Sequence, residues 1–279
     1  MDNRPIGVFD SGVGGLSIWR AIRKLLPHES MAFFADSGHV PYGEKSTLAL
    51  EDLAGRIARF LISKDAKLIV VACNTATVHT IAYLRDAFPD VPFVGVVPVV
   101  KTLARRTRTG TIAVLSTPAT SQSPYLAALI REFASDKKVI NVGCDGLENM
   151  VESGQLRTRA TNALLERHLA KVKGTAADVV GLGCTHYPFL RARIKRMLGS
   201  GVRLYDPSRP VARRVRQVLT EGDALGHNPA PDYTFYTTGD SALFGRVATK
   251  LLRFPVRDVT YVNLESVEPG VASRSHANA

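Results

Sequence analysis

A chain of 279 residues can hold two modest domains, and 45% hydrophobic with 22% charged residues is the balance of a folded globular protein rather than a disordered one. The net charge of +11 favours anionic small molecules, but no specific nucleic-acid partner is expected, because clusters such as Arg191, Arg193, Lys195 and Arg196 fall on the polar side of an amphipathic helical pattern. Three widely spaced cysteines fit neither a disulfide framework nor a zinc ribbon, and the longest apolar run, 91–100, is about half a membrane span and contains Pro92 and Pro98.

Residues 1–5 lead straight into a strand with no signal-peptide apolar region, so a reduced, cytoplasmic location with no membrane partner is expected. The first strand, 5–9, ends at Asp10-Ser11-Gly12. Val13-Gly14-Gly15 then opens a helix with the apolar stripe Leu16, Trp19, Ile22 and Leu26, stopped by Pro27. A second strand, 31–35, ends at Asp36-Ser37 and is followed by a loop, 38–43. Residues 48–64 are amphipathic, with Leu53, Ile57, Phe60 and Leu61 inward. The apolar run from Leu68 is a third strand that ends abruptly at Cys73-Asn74-Thr75. A helix over 75–88 and a proline-bounded strand over 93–97 come next.

The pattern then restarts. A strand at 111–115 ends at Ser116-Thr117, and a helix at 125–133 and a strand at 138–142 follow. A helix from about 157 to 173 precedes the strand that ends at Cys184-Thr185-His186, and 202–205 is a further strand. The two first strands are offset by 106 residues and the two cysteines by 111, which reads as duplication of one α/β unit. Strands alternating with helices imply parallel sheets. The remaining elements (helix 211–219, strand 233–236, helix 242–252, strand 259–262) are too few for a third domain and are expected to return to the first. The expected fold is α/β, with two pseudo-symmetric parallel-sheet domains, 1–97 plus 206–279 and 98–205, and the active site in the cleft between them. Residues 265–279 form a polar, patternless tail, expected to be frayed.

Ligands of open α/β sheets bind beyond the carboxyl ends of the strands. The first half presents Asp10, Ser11, Asp36, Ser37, Cys73, Asn74 and Thr75 there; the second presents Ser116, Thr117, Thr120, Cys184, Thr185 and His186. Several chemistries compete. A dinucleotide site would use the glycine turn and Asp36, but the turn lacks the last glycine of G-x-G-x-x-G and Asp10 would repel a pyrophosphate. A metal held by Cys73, His79, Cys184 and His186 matches no known ligand spacing, and a Cys73–Cys184 redox disulfide lacks C-x-x-C. Either cysteine alone also reads as a small buried hydrophobe. The fourth chemistry is proton transfer at carbon: inverting a stereocentre takes two acid–base groups on opposite faces, one protonated and one not. Thiols suit this task, with Asp10 and His186 as candidate partners of Cys73 and Cys184.

Four motifs lie in order over about residues 5–262: Ile6-Gly7-Val8-Phe9-Asp10-Ser11-Gly12-Val13-Gly14-Gly15-Leu16; Ala35-Asp36-Ser37 with Pro41-Tyr42-Gly43; Cys73-Asn74-Thr75; and Leu182-Gly183-Cys184-Thr185-His186-Tyr187-Pro188. Together they resemble the glutamate racemases of the aspartate/glutamate racemase superfamily. The resemblance implies an isomerase that interconverts L- and D-glutamate without a cofactor or metal, supplies D-glutamate for bacterial peptidoglycan, prefers glutamate to aspartate and forms a homodimer. It implies that Cys73 deprotonates the D-enantiomer and Cys184 the L-enantiomer, assisted by Asp10, His186 and Glu152, with Glu148 a rival for the last role. The implied substrate contacts are Asp10, Ser11, Tyr42, Gly43, Asn74, Thr75, Thr117, Thr120, Thr185 and His186. Ala119 stands where the family often has glycine. Two other classes stay open: a decarboxylase or isomerase of the same superfamily, which often keeps only one of the two cysteines, and a carboxylate-binding or nucleic-acid-associated protein using the positive charge.

Overall fold

Each apolar run read as a strand pairs in parallel with its neighbours, in a computed structural model that describes residues 1–96 and 99–268. One sheet has six strands in the order β10-β9-β2-β1-β3-β4, formed by β1 (Ile6–Asp10), β2 (Met31–Ala35), β3 (Leu68–Val71), β4 (Phe93–Gly95), β9 (Tyr233–Thr237) and β10 (Thr260–Tyr261). The other has four, β6-β5-β7-β8, formed by β5 (Thr111–Ser116), β6 (Lys138–Gly143), β7 (Val179–Leu182) and β8 (Arg203–Tyr205). The chain thus leaves the first sheet after β4, builds the second, and returns to add β9 and β10 to the first.

Helices cover both faces of each sheet, which is why β1, β2 and β3 are buried along their whole length. Side chains alternate across the pleat. Val8, Phe33 and Val70 face α1 (Leu16–Leu25), α10 (Ser208–Glu221) and α11 (Ser241–Leu252); Phe9, Phe34 and Val71 face α2 (Thr47–Ser63) and α3 (Asn74–Ala87). In the second sheet Ile112, Val114 and Val179 pack on α4 (Val100–Arg106) and α6 (Pro124–Ala134). Leu115, Val180 and Leu182 join α7 (Leu147–Glu152), α8 (Arg159–Leu169) and α9 (Arg191–Leu198) in a core continuous with the α1–α10 side of the first sheet.

The duplication is visible in the hydrogen bonds. The Ala72 N–H donates to Phe9 O at 2.7 Å and the Gly183 N–H to Leu115 O at 2.6 Å; the Asp36 N–H donates to Asp10 O at 2.9 Å and the Cys144 N–H to Ser116 O at 2.8 Å. Asp10 and Ser116 are therefore equivalent positions, as are Cys73 and Cys184.

Some boundaries differ from those expected. The helix after β3 begins at Asn74, because Cys73 itself caps it. The helix expected over 157–173 keeps regular geometry only over Arg159–Leu169, capped by Thr158 and followed by turns. Three short helices were not expected: α4, α5 (Pro118–Gln122) and α7. The tail is not frayed where it is described: Leu264–Ser266 form a 3-10 turn, Leu264 is buried, and Arg56 Nη1 donates to Leu264 O at 3.3 Å and Val267 O at 2.6 Å. The rest of that tail, 269–279, and the end of the expected strand at Val97 lie outside the described residues. No helix among the described residues is long and apolar enough to cross a membrane.

Candidate active site

The carboxyl ends of β1, β3, β5 and β7 meet at the junction of the two lobes. Cys73, at the end of β3, is 6% exposed; its sulfur accepts from the Ala76 N–H at 3.5 Å and lies 3.7 Å from Ser11 Oγ. Cys184, after β7, is 7% exposed, with its sulfur 3.4 Å from His186 Nδ1. The other imidazole nitrogen, Nε2, lies 2.6 Å from Glu152 Oε1 at the end of α7. That oxygen also accepts from the Val13 N–H at 2.8 Å, so a carboxylate of the second lobe sits on the glycine turn of the first.

The turn holds this arrangement only because it lacks side chains. A Cβ at Gly12 would overlap Glu152 Oε1, and one at Gly14 would lie 2.5 Å from Thr185 Oγ1 and 2.6 Å from the His186 ring. Two amides of the glycine turn are not free for a dinucleotide phosphate: the Gly12 N–H donates to Asp10 Oδ1 at 2.9 Å and the Val13 N–H to Glu152. Asp10 is fully buried, and its second oxygen accepts from Thr185 Oγ1 at 3.1 Å, a second bond across the lobes.

The two thiols meet different electrostatics. Burial, and then the Asp10 charge, push Cys73 up to about 12, against which the Ala76 N–H and Ser11 bonds act weakly. Asp10 itself is raised, chiefly by burial. For His186 burial acts downward, but Cys184 and Glu152 outweigh it and hold the imidazole well above its ordinary range. The arrangement favours a neutral thiol at Cys73 and an imidazolium beside Cys184.

The remaining residues singled out in the sequence gather around this centre in varying degree. Asn74 begins α3 buried, and neither its amide oxygen nor its nitrogen has a hydrogen-bond partner. Thr75 follows half-buried. Thr117 caps α5, and its hydroxyl donates to Thr120 Oγ1 at 3.1 Å. Gly43 approaches α5 so closely that a Cβ there would lie 2.8 Å from the Ala119 Cβ. The Tyr42 hydroxyl donates to Asp36 Oδ2 at 2.6 Å, while His39 Nδ1 and Thr238 Oγ1 lie 2.6 and 2.7 Å from Asp36 Oδ1. Asp36 thereby ties down the 37–44 loop, and its side chain is not free for a ribose. His79 bonds Thr47 at 2.9 Å, and all three cysteines are free thiols. Between the two candidate glutamates, Glu152 is the one at His186; Glu148 keeps a buried oxygen without a partner. Sequence reasoning did not find the role of the Val13 N–H, which depends on a carboxylate 139 residues away, nor that of Gly14, which depends on the approach of Thr185 and His186. Hollows of about 570 and 1050 Å³ elsewhere on the molecule contain none of these residues, and the thiols themselves are closed over.

Comparison with known proteins points to one family. The family model described as Asp/Glu/Hydantoin racemase matches residues 20–215. A glutamate racemase of Pseudomonas entomophila is 46% identical over 236 residues, 85% of this chain and 89% of the relative. Two solved structures superpose over 95% of this chain: a glutamate racemase isoform, RacE1, of Bacillus anthracis (99% of its chain, TM-score 0.84, 32% identity) and the glutamate racemase of Francisella tularensis in complex with D-glutamate (100% of its chain, TM-score 0.82, 30% identity).

Proposed function

The chain belongs to the Asp/Glu/hydantoin racemase family, and from that premise we propose that it is a glutamate racemase that moves a proton between Cys73 and Cys184 without a cofactor. The observation that carries the reading is the pair of buried thiols at equivalent strand ends, each with a different acid–base partner. From L-glutamate, the Cys184 thiolate takes the α-proton, and the Cys73 S–H delivers its own proton to the opposite face of the planar carbanion. The product is D-glutamate, with Cys184 left as the thiol and Cys73 as the thiolate. The reverse direction starts from that second form. Ser11 Oγ lies 3.5 Å from Asp10 Oδ1 and 3.7 Å from the Cys73 sulfur, a hydroxyl bridge by which a carboxylate of raised pKa takes the Cys73 proton. On the other side, Cys184 and Glu152 together outweigh burial and hold His186 charged, which sets a cation 3.4 Å from the sulfur that takes the proton. Ser11, Tyr42, Gly43, Asn74, Thr75, Thr117, Thr120 and Thr185 are the proposed substrate contacts.

The same reading places the enzyme in the cytoplasm as a homodimer that supplies D-glutamate for peptidoglycan, with lobes 1–97 plus 206–279 and 98–205 closing on the substrate. Polarimetry with L-glutamate tests it. Rotation decays to zero with glutamate and much more slowly with aspartate, whose side chain is one methylene shorter and leaves donors unpaired. In heavy water the first D-glutamate formed carries deuterium at the α-carbon, while the remaining L-glutamate stays protiated. Cys73→Ala and Cys184→Ala each lose roughly 10²–10⁴ in rate in both directions. Substantial racemisation by either variant, or equal turnover of aspartate, would overturn the reading.

A further inference from the structure

The two halves of the site match position for position, but their polar groups are not equally satisfied. Asp10 and Ser116 are equivalent strand ends, and Thr185 and Asn74 are the equivalent residues that follow the two cysteines. On one side the pair is closed, with the Thr185 hydroxyl donating to Asp10 Oδ2 at 3.1 Å. On the other side the matching pair is Ser116 and Asn74. Ser116 is 0% and Asn74 4% exposed, and neither the Ser116 hydroxyl nor either amide atom of Asn74 has a partner. The local reason is plain for Ser116. Asp10 Oδ1 is tied to the Gly12 N–H, whereas the residue two beyond Ser116 is Pro118, which has no N–H to engage. Leaving such groups unpaired in a core destabilises a fold, so buried polar groups are normally satisfied by something.

Charge indicates what satisfies them. The first-lobe positions Asp10 and Asp36 carry carboxylates, and their second-lobe equivalents are the neutral Ser116 and Cys144. At these strand ends a ligand carboxylate meets like charge on the first lobe and neutral groups on the second. Of the second lobe's carboxylates, Glu152 is engaged by His186 and the Val13 N–H, and Glu148 acts on Cys144. We infer that Ser116 is a substrate-contacting residue whose hydroxyl, together with the Asn74 amide, donates to a carboxylate oxygen of the bound amino acid. The substrate carboxylate completes on this side the bridge that Asp10 and Thr185 make directly on the other.

The inference rests on glutamate being the ligand, and Ser116→Ala tests it. Removing an unpaired buried hydroxyl leaves the ligand-free thermal midpoint unchanged or higher. Removing a donor to a carboxylate raises the glutamate KM about tenfold or more with kcat nearly unchanged, and shrinks the thermal shift produced by D-glutamate. Ser116→Cys, of similar size and with a weaker donor, falls between parent and alanine variant, and serves alone should the alanine variant fold poorly. Adding Ser116→Ala to Asn74→Ala costs less than the two losses combined, because both hold one group. Parental KM and parental ligand-induced shift in Ser116→Ala, or in Ser116→Cys if only that variant folds, would overturn the inference. Absence of glutamate turnover by the parent enzyme would instead overturn the assigned activity. The thermal shift with glutamate still reads Ser116 in that case.

Discussion

At the scale of single residues, the proposed proton transfer depends on how His186 is held charged inside the protein. Its imidazole lies between the Cys184 sulfur and the Glu152 carboxylate, and these partners outweigh the burial that would neutralise it. A histidine whose folded pKa is raised contributes stability that is full below its unfolded value, near 6.5, and fades as pH rises through the folded value. Glu152→Gln keeps the side-chain shape and an oxygen for the Val13 N–H but removes the charge. Thermal or urea unfolding of this variant shows a loss of about 1–3 kcal/mol near pH 6 that narrows as pH rises through the folded value of His186, since the parent then loses the Glu152 share of the imidazolium contribution while the Cys184 share is common to both. A gap that stays constant with pH would mean that Glu152 acts only as a hydrogen-bond acceptor. The same variant is expected to racemise more slowly near neutral pH, because the proposed mechanism uses a charged His186 beside Cys184.

At the scale of elements, the turn between β1 and α1 is where the lobes lock together, and glycine is required there for space. Gly14→Ala drives a methyl into Thr185 and His186, both buried. The expected result is a loss of about 1–3 kcal/mol of stability, read by denaturant unfolding, and at least a tenfold fall in kcat/KM. Full activity in this variant would mean that the two lobes do not meet as described. The sequence already displayed much of this. Strands appear as short apolar runs because both faces of each sheet are covered, and Cys73 and Cys184 mark matching strand ends. The short helices α5 and α7 were not legible, since five or six residues are too few to show a helical apolar period. Their absence from the expected pattern hid the route by which Glu152 reaches His186 and the way Ala119 abuts Gly43. Asp36 was visible as a strand-end carboxylate, but its three partners come from His39, Tyr42 and Thr238, the last of them 202 residues away. No local spacing could announce that it serves as an anchor.

At the scale of the whole molecule, the returning chain is fastened to the first lobe by a buried ion pair. Lys67 Nζ lies 2.6 Å from Glu29 Oε2, with the two side chains 1% and 2% exposed, and it also donates to Asp2 O at 2.5 Å and Ala224 O at 2.8 Å. Glu29 in turn accepts from the Gly226 N–H at 2.7 Å. Lys67→Met strands a buried carboxylate and costs about 3–5 kcal/mol in an unfolding titration, whereas adding Glu29→Gln restores part of the loss; equal stability of the two variants would contradict the pairing. The unlike surroundings of the two thiols have a consequence for the reaction cycle as a whole. L- and D-glutamate are mirror images of equal free energy, so a racemase has no preferred direction overall, whereas the proposed proton transfer is asymmetric at the thiols: burial and the Asp10 charge favour the neutral form of Cys73. In that proposed mechanism each conversion of L to D leaves the proton on Cys184 and none on Cys73, so the enzyme has to exchange protons with solvent before it can take the next L molecule. The proposed cycle thus adds to the chemistry at the substrate carbon a return step that belongs to the free enzyme alone.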